Sequence, residues 1–110
     1  MSKRTLKIID WGLSEFYKSG TEYNTKVAAR YYKAPELLLG NTRYDYSVDI
    51  WGVGCIFAAA IFQIENFFQG KDDADQLLSI AKVIGTDEIY EYVEKQGIKM
   101  RAAIHDQLGK

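Results

Sequence analysis

Polar and apolar positions alternate briefly near the start of the chain, where Thr5-Leu6-Lys7-Ile8-Ile9 predicts a short β-strand stopped by Asp10 and Gly12. Over residues 13–34 neither a strand nor a helix period holds, and Gly20, Asn24 and several Ser and Thr residues mark a long loop. Loops of that length in small domains are functional or disordered. Phe16, Tyr17, Tyr23, Tyr31 and Tyr32 lie in this one, and so much aromatic surface predicts that it is packed. Pro35-Glu36-Leu37-Leu38-Leu39 with Gly40 behind it predicts one helical turn, Pro at its first position and Gly past its end.

After a polar connection over residues 43–46, Ser47 is the expected N-cap of a helix reaching about residue 64. Ile50, Trp51, Val53, Cys55, Ile56 and Phe57 leave that helix almost no polar face, and such a helix is expected to be buried on all sides. A chain of 110 residues has little material to surround it, so exposed apolar surface is expected wherever neighbours are lacking. Asp72, Asp73 and Asp75 open the next helix at its positive dipole end. Leu77, Ile80, Ala81 and Ile84 keep its helical period, and Gly85 closes it. Ile89, Tyr92 and Val93 mark a weaker helix ending near Gly97, and a last one is expected over residues 102–108. The expected fold is mainly α with a short N-terminal β-strand, in one domain over residues 1–110.

Composition narrows the function classes. The hydrophobic fraction of 47% argues against wholesale disorder. The net charge of −1 gives no global attraction to nucleic acid or to an anionic membrane, and neither is expected as a partner. One Cys (Cys55) excludes an internal disulfide, and with one His (His105) it cannot build a Cys/His zinc cage. Cys55 is expected to be a core residue and His105 a helix-surface residue. The longest apolar run, residues 50–62, falls short of the roughly 18–20 residues that span a bilayer. No apolar segment of 7–15 residues follows the basic residues 1–4, so no secretory signal is expected. The expected location is intracellular, in cytoplasm or nucleus.

Chemistry enters through three short motifs. Asp10-Trp11-Gly12 places a carboxylate at a strand end before a tight turn, where it can ligate a divalent cation through hard oxygens. Ala34-Pro35-Glu36 follows after a loop, and Asp49-Ile50-Trp51-Gly52-Val53-Gly54 opens the apolar helix. Each alone is weak. In this order and spacing they resemble the magnesium-to-activation-segment signature of protein kinases and the start of that fold's buried central helix.

The closest resemblance is to the catalytic (alpha) subunit of casein kinase II. It rests on Asp10-Trp11-Gly12-Leu13-Ser14-Glu15-Phe16-Tyr17, Glu22-Tyr23-Asn24, Arg30-Tyr31-Tyr32-Lys33, Tyr44-Asp45-Tyr46-Ser47 and Asp75-Gln76-Leu77, and extends over nearly the whole chain. Gly52 for Ser, Asn66 for Pro and Ala34 for Gly depart from that family's pattern. Thr21-Glu22-Tyr23 also matches the phosphorylation motif of MAP kinases, but the residues between Tyr23 and Ala34 are more than that family's spacing allows.

The resemblance implies the C-terminal-lobe portion of a protein-kinase-like (α+β) fold and ATP-dependent phosphorylation of Ser or Thr near acidic residues, with GTP as an alternative donor. It implies Asp10 as the Mg²⁺ ligand and point of cofactor contact, and Trp11, Gly12, Pro35, Glu36 and Asp49 as structural motif residues. In that family the Glu36 position pairs with an Arg further along the lobe, beyond where these residues are expected to reach, and the Asp49 position braces the catalytic loop, which these residues lack. Lys26, Arg30 and Lys33 would receive acidic side chains of the substrate; taken without the resemblance, such a basic triple is solvent-facing charge. A regulatory beta subunit is implied only where an N-terminal lobe exists.

Phosphoryl transfer also needs a Gly-rich loop, a strand Lys, a catalytic-loop Asp and an Asn for the second Mg²⁺. In kinase order all precede the Asp-Trp-Gly element, and residues 1–9 contain none of them. The chain is therefore expected to be part of a kinase and inactive alone. The alternatives are a non-catalytic module that binds acidic segments through Lys26, Arg30 and Lys33, and an unstable fragment without a role.

Overall fold

Six helical segments form among residues 4–109, the span that the computed structural model of the chain describes. A 3₁₀ turn at Arg30–Tyr32 precedes α1 (Pro35–Leu38), α2 (Ser47–Phe62), α3 (Asp73–Ile84), α4 (Thr86–Gln96) and α5 (Ala102–Leu108). The mainly α expectation is met. The β-strand expected at residues 5–9 does not form, and no strand occurs among the described residues. A lone extended segment has no neighbouring edge to pair its N–H and C=O groups. Leu6 is accordingly 95% exposed, and Ile8 and Ile9 are exposed beside it.

α3 is the centre of the packing. Its start is fixed by Asp72, whose Oδ1 accepts the Asp75 N–H at 2.8 Å. Its apolar face puts Leu77 and Ile80 at 0% exposure, covered by α1 on one side and α5 on the other. Leu38 of α1 and Ile104 and Leu108 of α5 are buried in the same cluster. α4 adds Ile89 to that cluster and ends at Gly97, whose φ of 65° is the left-handed conformation expected of a glycine there.

One polar side chain enters this core. Gln76 is fully buried, and its Nε2 donates to the Phe68 carbonyl at 3.2 Å, tying the connection before α3 to the helix itself. That connection passes so close that a Cβ on Gly70 would collide with the Gln76 backbone and stand 2.7 Å from the Asp75 carbonyl carbon. Only glycine fits there.

α2 departs from expectation in three ways. Tyr46, not Ser47, is its N-cap, and the Ser47 N–H is taken by Asp45 Oδ1 at 2.8 Å. Hydrogen bonds from Ser47, through both its side chain and its N–H, hold the Asp45 carboxyl below the usual carboxylate range. The helix stops at Phe62 with Gln63 in the left-handed conformation. Most of all, α2 is not buried on all sides. Cys55 is its one buried residue, whereas Phe57 is 65% exposed and Ile50, Val53 and Ile61 share that open face. One flank alone is covered, by Trp51 stacked on Phe68 with centroids 5.6 Å apart and by Phe62 against Phe67.

Truncating the α3 core leaves a cavity. Leu77→Ala is expected to cost about 2–5 kcal/mol, while Phe57→Ala on the open face stays within about 0.5 kcal/mol. Gly70→Ala is expected to lose about 1–3 kcal/mol because backbone must move. Urea unfolding followed by helix ellipticity measures all three, and equal losses at Leu77 and Phe57 would contradict this core.

Candidate functional site

The Asp10-Trp11-Gly12 element is a turn. The Ser14 N–H and Oγ both donate to the Trp11 carbonyl, at 3.0 and 2.7 Å. Asp10 takes a left-handed φ of 64°, and a Cβ on Gly12 would lie 3.5 Å from Asp10 Oδ1, an ordinary contact. Asp10 and Trp11 are exposed. No group of three or more His, Cys, Asp or Glu side chains gathers around a common point among the described residues. Asp10 thus offers one hard oxygen ligand, which suits a Mg²⁺ that keeps most of its shell in water and substrate phosphates. It does not make a cation site by itself.

The loop after this turn is packed in part, through Tyr17, Tyr23 and Tyr32. Phe16 is 94% exposed and Tyr31 is exposed too, against expectation, because no neighbouring apolar surface covers them among the described residues. Tyr17 stacks on Tyr23 at 6.2 Å and meets Tyr46 edge-on at 5.5 Å. The Tyr23 hydroxyl donates to the Phe16 carbonyl at 3.0 Å and accepts the Lys18 N–H at 2.7 Å, so the Thr21-Glu22-Tyr23 hydroxyl is already engaged. Three contacts staple the loop to residues 42–44. The Tyr23 N–H donates to the Thr42 carbonyl at 2.8 Å, Thr42 Oγ1 to Glu22 Oε1 at 2.9 Å, and the Tyr44 hydroxyl to the Asn24 carbonyl at 2.7 Å.

The three cations sit downstream of these staples. The Lys26 N–H is held by Asn24 Oδ1 at 2.8 Å, while its ammonium has no carboxylate within 4 Å among the described residues. Ala28 turns the chain with a left-handed φ of 66°, and the 3₁₀ turn follows. That turn sets Arg30 and Lys33 three residues apart, the spacing at which 3₁₀ side chains eclipse, closed by the Lys33 N–H on the Arg30 carbonyl at 3.1 Å. Lys33 is half-buried and its ammonium is likewise unpaired among the described residues. Arg30 differs. Its Nη1 donates to the Lys71 carbonyl at 3.0 Å and its Nε lies 3.8 Å from Asp73 Oδ1.

The remaining motif residues divide between support and surface. Pro35 opens α1, as expected, and Glu36 follows it, half-buried. No cation lies within 4 Å of Glu36 among the described residues. Burial therefore pushes the Glu36 carboxyl up, opposed in part by a backbone hydrogen bond and reinforced by the Asp45 charge. Asp49 is exposed in the first turn of α2. Glu36 forms the polar end of a groove of about 630 Å³ walled by Ile50, Trp51, Cys55, Phe67 and Phe68. In its wall, burial pushes the Cys55 thiol up, away from reactivity. His105 is on the surface of α5, edge-on to Tyr90 at 5.7 Å.

Two residues of this region carry no sequence signal. Asp73 reads as one helix-opening carboxylate among three, and Arg101 as a loop residue. In the fold Arg101 Nη2 lies 3.7 Å from Asp73 Oδ2 and 3.3 Å from the Leu38 carbonyl, so Asp73 stands between two guanidinium groups. Positions 30, 73 and 101 share no periodicity; only tertiary packing brings them together.

A helical lobe that carries the Asp-Trp-Gly turn, a stapled loop, a Pro-Glu turn and a long apolar helix in this order has the architecture of a kinase C-terminal lobe. A family model, the protein kinase domain, matches residues 1–107, and the chain belongs to that family. Its class of chemistry is phosphoryl transfer, which the family generally carries out with ATP and Mg²⁺.

Because the Glu36 carboxyl is raised in the folded state, its protonated form favours folding and that contribution is lost as pH rises through the folded value. Glu36→Gln is therefore expected to raise the melting temperature at pH 7.5, with the gain vanishing below the ordinary carboxylate range near pH 4. Parallel melts of both proteins check it, and a lower melting temperature for the variant at pH 7.5 would show that a cation partner exists.

Proposed function

We propose that the chain is the substrate-reading part of a Ser/Thr kinase of the casein kinase II alpha type, which phosphorylates Ser or Thr next to acidic residues. Lys26, Arg30 and Lys33 receive the substrate carboxylates, and Asp10 ligates the Mg²⁺ of ATP. What supports this reading is the loop between Asp10 and Glu36: it is stapled in place by its own side chains, and its Lys26 and Lys33 have no carboxylate within 4 Å among the described residues. Ammonium and guanidinium groups offered this way form charge-assisted hydrogen bonds to carboxylates, weakened by added salt.

These 110 residues contain no Gly-rich loop, strand Lys or catalytic-loop Asp placed before Asp10. Losing base, Lys and phosphate cradle together removes the positioning and electrostatic effects that carry phosphoryl transfer. Taken alone, the chain binds acidic segments without phosphorylating them. A second reading, a non-catalytic module for acidic proteins, rests on the same exposed cations and needs neither ATP nor Mg²⁺. The acidic partner is common to both, and its compartment is cytoplasm or nucleus; a beta subunit is no part of the proposal for this chain.

A fluorescein-labelled peptide of Ser followed by four Glu, titrated by anisotropy, tests the shared claim. The triple substitution Lys26→Ala, Arg30→Ala, Lys33→Ala is expected to weaken binding about tenfold, and raising salt from about 50 to 200 mM to weaken it further. Unchanged binding in the triple variant would defeat the acidic-segment reading. With Mg-ATP the chain alone is expected to show no turnover above its Asp10→Ala variant; turnover above it would defeat the claim of inactivity.

A further inference from the structure

Of Lys26, Arg30 and Lys33, Arg30 is the one that faces a carboxylate among the described residues. Its guanidinium is fixed by the Nη1 bond to the Lys71 carbonyl (3.0 Å), which leaves Nε 3.8 Å from Asp73 Oδ1. That separation is too long for a hydrogen bond, so the attraction is Coulombic and the pair opens easily. Both side chains are partly solvated, at 46% and 37% exposure, which keeps the pair weak and exchangeable. Arg30 Nη2 makes no hydrogen bond among the described residues and remains open to an incoming acceptor.

Asp73 is well anchored. It occupies the first position of α3, next to the Asp72 cap, on the helix that carries the core. Arg101 Nη2 lies 3.7 Å from its other oxygen, a second solvated and weak pair on the far side. The arrangement is a carboxylate tethered at high effective concentration beside a guanidinium that would otherwise be free. A carboxylate from outside that takes the Nε–Nη2 edge in bidentate fashion must displace it, whereas Nη2 alone stays open.

Resting on the acidic-segment reading above, we propose that Asp73 is a built-in competitor for Arg30, a residue that sets specificity by making the loop respond to clustered rather than single acidic side chains. A lone carboxylate gains little by exchanging with Asp73. A segment that also engages Lys26 and Lys33 gains enough to open the pair. Asp73 acts through Arg30 and is a positioning residue; Arg30 touches the ligand.

The test is a double-substitution cycle on the 110-residue chain with the Ser-Glu₄ peptide and anisotropy readout. Asp73→Asn keeps the side-chain shape and leaves the Asp72 cap in place, and unchanged helix ellipticity confirms that it folds. Asp73→Asn is expected to tighten binding about two- to fivefold. The same change in an Arg30→Ala background is expected to leave binding as it is in Arg30→Ala alone. Asp106→Asn, an equal charge change on the exposed side of α5, is expected to have no effect.

Several results would overturn the inference. If Arg30→Ala weakens binding while Asp73→Asn leaves it unchanged or weaker, the acidic-segment reading stands and the competitor role fails. Tightening that persists without Arg30, or that Asp106→Asn reproduces, assigns the effect to net charge. No saturable binding by either the unchanged chain or Asp73→Asn removes both the reading and the inference.

Discussion

Burial of one face of α3 is the constraint on which the rest of the structure depends. Leu77 and Ile80 lose all contact with water only because α1 and α5, distant in sequence, close over them from two sides. Burial of such side chains supplies about 1.5–3 kcal/mol each, the scale at which a small domain is won or lost. Gln76 makes that helix specific as well as apolar. The Nε2 of its buried amide finds a partner in the Phe68 carbonyl, which draws the chain before α3 close enough that position 70 tolerates only glycine. Its Oε1 is buried without a hydrogen bond among the described residues.

The functional surface inherits its geometry from this core. Lys71 and Asp73, the two groups that meet Arg30, stand at the start of α3, so the basic loop is referenced to the helix that carries the core. The other end of the loop is referenced to residues 42–44 by the Tyr23, Glu22 and Asn24 contacts. Apart from the 3₁₀ turn at Arg30–Tyr32 the loop is irregular, yet its ends are defined. Departure from the related pattern at position 66 also has a local role, since Asn66 Oδ1 accepts the Tyr32 hydroxyl at 3.2 Å and joins the 3₁₀ turn to the segment after α2.

α2 stands at the opposite extreme. Its composition is that of a helix surrounded by protein, and the described residues cover one flank. A large apolar face with Ile50, Val53 and Phe57 is open, next to a groove whose polar end is the unpaired Glu36. An exposed apolar patch of this kind marks a surface made to be covered.

The sequence by itself determined the local structure. Pro35 and Gly40, the three aspartates before α3, the Leu77, Ile80 and Ala81 spacing, and Gly85 and Gly97 each act within one turn of themselves, and the helices they predict are the helices that form. The ordered motifs from Asp10 to Asp49 likewise pointed to the kinase family, because the signature is linear. Tertiary structure decided everything that needs a partner from elsewhere. Residues 5–9 have strand chemistry but no neighbouring strand, Ser47 loses the capping position to its neighbour, and an apolar helix remains largely uncovered. The same holds at the site, where equal-looking cations became unequal because Asp73, far along the chain, meets Arg30, while Lys26 and Lys33 have no carboxylate within 4 Å among the described residues. Periodicity records what a residue needs; which group supplies it depends on contacts between positions that share no spacing.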